Sequence, residues 1–328
     1  MVFFDTNRSS GLPQYMSRNY RAISTGNLDQ ALSSLTILRA RGTYPMWTSK
    51  AYYGLIELRL TRGGVGLRPF NVSISEDHLQ AILTASPALR VLELAVKIVK
   101  MLPENAAVVP IRLDHLQSLN VNRMAFDQLG TLLRWLAPGP KPLQLAIPND
   151  DIISNEFLPY LTGLEARSFF ARSNVAEIYA RQLSYSGFFA ILELCPGLKT
   201  LAWELFDFLK SRIQYPVQPE HLVLPPSLET LLILQCYFGN TAFPELIGRS
   251  LTLTQKVLFW KCKYYPNSRP SCVPMREDHL EHMVDLCPEV KIVDKDPTHD
   301  WEVFCPGWSF AGVVGKLLYM DKFRPPRN

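Results

Sequence analysis

Residues Ser73 to Leu94 read SISEDHLQAILTASPALRVLEL, and this stretch decides how the rest of the chain is organised. It spells one helix followed by one short strand. Ser73 and Glu76 have the spacing of a capping box, with Asp77 in the first turn. Leu79, Ile82 and Leu83 recur at helical spacing. Pro87 stops the helix, because it cannot donate to the helical ladder and it restricts Ser86. Leu89, Leu92 and Leu94 then stand at the L-x-x-L-x-L spacing of a strand with one apolar side. Such a unit cannot bury its apolar face alone and needs a similar neighbour on each side.

Working outward, the chain supplies those neighbours. Before the reference unit stand Leu35, Leu38 and Ala40, closed by Gly42, and then Leu55, Leu58 and Leu60, closed by Gly63 and Gly64. After it come Leu116, Leu119 and Val121, followed by an amphipathic helix through Phe126, Leu129, Leu132, Leu133 and Leu136. A breaker cluster at Pro138 to Pro142 precedes a weakened strand, Leu143 and Leu145, whose first core position would be Pro140. The pattern predicts a helix from about Ser154 to Phe170 that Pro159 can interrupt. Val175, Ile178 and Ala180 form the sixth strand. Ser186 to Leu194 is the next helix, broken by Pro196 and followed by Leu198, Leu201 and Trp203. Leu228, Leu231 and Ile233 come after Pro225 and Pro226. Thr254, Val257 and Phe259 form a degenerate ninth strand, and Val290 and Val293 belong to the tenth. The phrase Ser86-Pro-Ala-Leu89 recurs as Cys195-Pro-Gly-Leu198 and Cys287-Pro-Glu-Val290, each with a helix-stopping Pro two residues before a core position.

The steps average about 28 residues, inside the range of leucine-rich repeats, with wide variation. The expected fold is therefore α/β: a leucine-rich-repeat solenoid (horseshoe) with irregular repeats and a parallel concave sheet. A doubly wound α/β domain also alternates strands and helices. It would want a glycine-rich phosphate turn after an early strand to bind a nucleotide, and no such turn is present. Met1 to Gly26 reads as an irregular N-terminal segment, residues 27–294 as the solenoid, and residues 295–328 as a C-terminal cap or tail.

Composition excludes several function classes. The 328 residues are 47% apolar and 20% charged, ordinary for a folded chain, and a net charge of +4 gives no argument for nucleic acid or a membrane surface. No apolar run is long enough to span a bilayer, and MVFFDTNRSSG lacks the pattern of a signal peptide. A cytoplasmic or nuclear location is expected. Cys195, Cys236, Cys262, Cys272, Cys287 and Cys305 stand at irregular spacings beside apolar positions, which predicts reduced, mostly buried thiols. Asn7 and Asn71 match the glycosylation pattern by chance.

The stretches LSSLTILRARGTYPMWTSKAYYGLIELRL, ISEDHLQAILTASPALRVLEL and LDHLQSLNVNRMAFDQLGTLLRWLAPG resemble the C-terminal repeat region of fungal F-box/leucine-rich-repeat proteins, over Asn27 to about Asp294. The resemblance implies a protein-recognition module similar to the substrate-binding repeats of a ubiquitin ligase receptor. Family members carry an F-box ahead of the repeats, which docks an adaptor of a cullin ligase. Leu12-Pro13 is similar to the Leu-Pro that opens many F-boxes, but the helices that follow it there do not fit into Met1 to Gly26. Adaptor binding is expected only through an F-box outside this chain.

Catalytic, metal and cofactor signals are weak. His279 and His282 lie three apart beside Asp278 and Glu281, with Cys262 and Cys272 before them, at no recognised zinc spacing. His78 and Asp77 lie at an exposed helix start. Gly63-Gly64-Val-Gly66 lacks the Lys and Ser/Thr of a phosphate loop and reads as a turn. Lys322, Arg324 and Arg327 make a basic tail too short for nucleic acid binding. No catalytic, cofactor or metal residue is assigned, and the competing class is an enzyme on an α/β scaffold without a recognisable motif.

The informative surface is the strand face opposite the core. Side chains alternate along a strand, so residues between the core positions form rows across the sheet. The first row reads Arg39, Arg59, Glu93, Asn120, Gln144, Tyr179, Ala202, Leu232, Leu258. The second reads Arg41, Thr61, Ala95, Asn122, Ala146, Arg181, Glu204, Leu234, Trp260. Both are polar early and apolar late. Arg39, Arg59, Glu93, Asn120, Tyr179, Leu232, Leu258 and Trp260 are the candidate residues for binding a protein partner. Two readings of the apolar end stand side by side: a partner site, or a surface covered by a C-terminal segment carrying Trp301, Phe304, Trp308 and Phe310.

Overall fold

The recurring apolar triplets become strands because each exposes one side that only another strand of the same kind can cover. In the computed structural model, which describes residues 2–5, 32–42, 44–61, 72–103, 106–148, 163–183, 185–205, 227–239, 254–265, 272–281, 287–299 and 301, ten of them and one further strand at the N-terminal end pair into one sheet of eleven. They are β1 (Val2–Asp5), β2 (Ile37–Arg41), β3 (Glu57–Thr61), β4 (Val91–Leu94), β5 (Ser118–Asn120), β6 (Leu143–Ala146), β7 (Val175–Arg181), β8 (Thr200–Glu204), β9 (Thr230–Leu234), β10 (Lys256–Trp260) and β11 (Glu289–Val293). Every pairing in it is parallel. The spatial order of the strands is their order along the chain. The architecture is α/β, with four α-helices among the described residues: α1 (Glu76–Thr84), α2 (Leu129–Trp135), α3 (Leu164–Ala171) and α4 (Tyr185–Leu194).

One ladder row explains the core. Leu38, Leu58, Leu92, Leu119, Leu145, Ile178, Leu201, Leu231, Val257 and Val290 are successive register partners. All but Val290 are buried, and Val290 packs partly buried against the same cluster. Leu79, Ile82 and Leu83 of α1, Leu129, Leu132 and Leu133 of α2, and Ala166, Phe169 and Phe170 of α3 close over that face in the same cluster. Phe188 of α4 stacks on Trp203 with ring centroids 4.4 Å apart, and the Trp203 indole donates to the Leu183 carbonyl at 3.1 Å.

The strands end alike. Gly42, Gln182, Leu205, Gln235 and Lys261 each follow the last residue of their strand, and all have φ between 52° and 72°. The left-handed turn aims the backbone N–H back at the neighbouring strand. Gly42, Gln182, Leu205 and Gln235 donate to the carbonyls of Thr61, Glu204, Leu234 and Trp260 at 2.7–3.0 Å. Glycine meets this conformation without strain at Gly42 only; the four others hold it against their own side chains. Small strand pairs flank the main sheet. Ser73–Ser75 pairs with Lys97–Val99, Ile111–Leu113 with Leu136–Pro138, and Tyr237–Gly239 with Lys263–Tyr265.

Several expectations are corrected. Val2–Asp5 is a strand of the main sheet, not irregular chain. Helix α1 is capped by Ser75, whose hydroxyl accepts from the His78 N–H at 3.3 Å, while Ser73 lies in a strand. Glu76 turns inward instead of completing a capping box. Leu145 is the middle core position of β6, and Ile147 the last, because Leu145 and not Leu143 pairs with Leu119; toward β7 the register shifts by one residue between Leu143 and Gln144. Val290 is likewise the middle position of β11. Ile292 is its next core residue, and Val293 faces the other side of the sheet. The breaker cluster is part strand, since Pro138 pairs in Leu136–Pro138 and a side chain at Gly139 would collide with the backbone of Asp114. Leu12, Gly63 to Gly66, Pro159, Pro225, Pro226, His282, Cys305, Phe304, Trp308, Phe310, the acceptor-like Asn7 and Asn71, and the basic tail lie outside the described residues. Among the described residues no helix is long and apolar enough to cross a membrane.

Candidate functional site

The face opposite the leucine core carries three rows of side chains. Arg39, Arg59, Glu93, Asn120, Ala146, Tyr179, Ala202, Leu232, Leu258 and Lys291 are register partners in the middle row. Seven of the eight candidate residues therefore share one row, and Trp260 stands in the row beside it with Arg181, Glu204 and Leu234. The pairing of Asn120 with Ala146 puts Ala146 where Gln144 was expected. Gln144 belongs to a third row, with Glu57, Val91, Ser118, Glu177, Thr200, Thr230, Lys256 and Glu289.

At the N-terminal end the rows build an ion ladder. The Arg39 guanidinium donates to both carboxylate oxygens of Glu57, at 2.5 and 3.0 Å. Arg59 donates to Glu57 at 2.6 Å and to Glu93 at 3.1 Å. Positive and negative groups thus alternate across β2, β3 and β4, and each charge is compensated by its neighbour. Arg59 is only 4% exposed, and Glu57 and Glu93 8% each. Burial works against the Glu57 carboxylate, but the two arginine hydrogen bonds outweigh it and hold its pKa below the usual range. At Glu93 burial prevails over Arg59 and Arg123, and the pKa is raised. Arg59 and Glu93 are on the expected face, but they spend their hydrogen-bonding capacity on each other. Glu57, which makes the ladder continuous, lies one residue before the core position Leu58. Alternation alone was enough to find it.

At the C-terminal end the same face is apolar. Ala146, Tyr179, Ala202, Leu232, Leu234 and Trp260 form a second buried cluster, separate from the main core, with Leu258, Val293 and Trp301 packed against it. Trp260 is 6% exposed, and its indole donates to the Asp294 carbonyl at 3.3 Å. Asp296 orders the turn that follows, accepting from the Thr298 N–H at 2.9 Å and the Thr298 hydroxyl at 2.7 Å. Trp301 N–H donates to the Thr298 carbonyl at 3.1 Å. Of the two readings of this end, the covering one is met by Trp301.

A polar knot sits inside the apolar patch. The Tyr179 hydroxyl donates to one oxygen of Glu204, and Gln235 donates to the other at 2.6 Å. Arg181 Nε lies 3.6 Å from the same carboxylate. Burial, and then the charge of Asp296, push the Glu204 pKa up to about 8.

The other candidates are engaged locally. His78 Nδ1 lies 2.9 Å from the Ser75 hydroxyl. His279 stacks on Tyr264 at 4.1 Å and its Nδ1 accepts from the Arg276 N–H. Cys236 and Cys262 are buried, with thiols directed at the carbonyls of Trp203 and Ile233, one residue position on successive strands. Burial pushes the Cys262 thiol up to about 12, far from the thiolate that nucleophilic chemistry requires. A groove of about 540 Å³ between α3 and α4 is lined by Arg167, Ser173, Asn174 and Glu193. Ser173 and Asn174 are tied to the backbone carbonyls of Phe169 and Pro140. Among the described residues no group of His, Cys, Asp and Glu side chains is placed to hold a metal ion. A scan against protein-family models gives no match, and a search of curated proteins gives none.

Proposed function

We propose that the chain is a leucine-rich-repeat solenoid whose outward sheet face recognises a protein, in the manner of the substrate-binding repeats of an F-box-type ligase receptor. A cullin-ligase adaptor would join only through an F-box outside this chain. The observation that carries the reading is the ladder itself, eleven parallel strands in chain order with one face leucine-filled and the other presenting rows of side chains from neighbouring strands. Repeat proteins use such extended surfaces for partners. Further support comes from Leu228, Leu231, Ile233, Cys236 and Phe238, and again from Thr254, Val257, Phe259, Cys262 and Tyr264. Both sets follow the spacing L-x-x-L-x-L-x-x-N/C-x-L, with the cysteine at its ninth position.

The enzyme alternative has less support. An active site gathers titratable groups in one pocket, whereas here Arg39, Glu57, Arg59 and Glu93 are strung across three adjacent strands and paired with one another. The accessible part of the face lies toward β10 and β11, at the half-exposed Leu258 and at Lys291, 64% exposed along its side chain. The test is affinity capture with the chain and with its Leu258→Lys/Lys291→Glu variant. A protein retained by the first and lost from the second, at unchanged melting temperature, supports the reading. Equal retention by both moves recognition off this face.

A further inference from the structure

Just past the ends of β9 and β10 the fold leaves two ammonium groups without a counter-ion. Lys261 follows β10 and is exposed. Lys263 opens the short strand Lys263–Tyr265, which pairs with Tyr237–Gly239 on one side and Val273–Pro274 on the other. Cys262 between the two lysines is buried in the main core, so alternation turns Lys263 to the outer side of that short sheet. There it is the register partner of Tyr237, and its Nζ lies over the Tyr237 ring, 5.5 Å from the centroid. The Tyr265 ring stands 6.1 Å from that of Tyr237. Lys261 Nζ lies over the Trp260 ring at 4.4 Å. Lys199, Lys256 and Lys291 each have a glutamate oxygen within 3.5 Å. Among the described residues Lys261 and Lys263 have no such carboxylate, and their contacts are the rings. An aromatic face attracts a cation and fixes its place but does not neutralise it.

We propose that Lys261 and Lys263 form an acidic-peptide site at the end of the recognition face, where a partner segment rich in Asp or Glu docks. The inference rests on the recognition reading above and names the chemistry of that partner. The half-exposed Leu258 lies on the same strand, two residues before Trp260. A segment that sets an apolar side chain on Leu258 can therefore bring its carboxylates to Lys261 and Lys263. The rings favour a peptide over single-stranded nucleic acid. Nucleic acid draws affinity from bases stacked on open aromatic faces, but an ammonium already stands over Tyr237, and Trp260 is 6% exposed. A phosphate backbone also wants a basic stripe to follow. Here the exposed Glu277 and Asp278 stand beside the short sheet, where His279 stacks on Tyr264. A short acidic segment fits the space between these limits.

The test is fluorescence anisotropy on the full chain at about 50 mM salt, where exposed charges are weakly screened. The probes are a labelled peptide of alternating Glu and Gly, its Gln counterpart, and an oligothymidylate of equal charge. The Glu peptide should bind more tightly than both others. Lys261→Gln/Lys263→Gln should weaken it about fivefold or more. Tyr237→Leu, which keeps both charges and removes one ring, should weaken it by a smaller factor. Lys50→Gln/Lys97→Gln removes two exposed lysines that are also without a carboxylate and should leave binding unchanged. Equal affinity for the Glu and Gln peptides, equal weakening by the two lysine pairs, or tighter binding of the oligothymidylate would each overturn the proposal. Affinity capture with the Lys261→Gln/Lys263→Gln chain separates the two readings. A protein retained equally by this variant and the unaltered chain overturns the acidic-peptide site and leaves recognition standing. Selective binding of the Glu peptide with no protein retained refutes the recognition reading and leaves the lysine site standing.

Discussion

Glu76 is the residue whose removal should damage this fold most for its size. Its carboxylate is fully buried and accepts from four donors: Arg134 Nε at 2.8 Å, Arg134 Nη2 at 2.5 Å, Trp135 Nε1 at 2.6 Å and the Leu102 N–H at 2.6 Å. Arg134 in turn donates to the carbonyls of Pro103 and Leu102. One carboxylate thus joins the start of α1, the end of α2 and the connection at residues 102–103. Glu76→Ala strands a guanidinium that is only 9% exposed, and breaking a buried pair from one side costs about 3–5 kcal/mol. The indole and Leu102 N–H groups left without an acceptor keep the loss at the upper end of that range, at about 1–3 kcal/mol each before any water enters. Glu76→Leu with Arg134→Met removes both charges and should cost less than either single change, giving a coupling of about 2 kcal/mol or more in a double-mutant cycle. Urea unfolding followed by circular dichroism measures all four proteins. Single-variant losses below about 1 kcal/mol, or a double variant equal to the sum of the singles, would refute the reasoning.

Three further outcomes are expected. Leu119→Ala should cost about 2–5 kcal/mol by the same assay, since Leu119 is fully buried mid-sheet between Leu92 and Leu145. Gln182→Gly should stabilise by about 1 kcal/mol, because glycine adopts φ 52° without strain; a loss would mean that the Gln182 side chain contributes more than its backbone costs. Stability should fall at both pH extremes. Glu204, raised to about 8, contributes stability that is complete below about pH 4.5 and is lost as pH rises through about 8. Glu57, held below its usual pKa, contributes stability above its ordinary value that is lost as pH falls through the depressed one. Glu204→Gln should flatten the alkaline limb of the melting-temperature profile and leave the acid limb in place.

What the chain reveals by itself follows from local rules. Leu38, Leu58, Leu92, Leu119, Leu201 and Leu231 declare a strand with one apolar side, because alternation and spacing depend only on neighbouring residues. Pro87 and Pro196 end helices for equally local reasons. The outward row through Arg39, Arg59, Glu93, Tyr179 and Leu232 was legible because period two carries over from strand to strand once the core residue is known. Tertiary structure decided whatever depended on a partner far away in the chain. The pairing of Leu119 with Leu145 and of Val257 with Val290 sets the register there, since the adjoining strand chooses the pairing that fills its own ladder. Glu76 carries the sequence signature of a cap, and only the approach of Arg134, 58 residues away, makes it a buried anchor. Glu57 meets Arg39, and Glu204 meets Tyr179, through the sheet and not through the chain. A charge reads as solvated until the fold brings a compensating group to it and removes the water, and that step belongs to the tertiary structure alone.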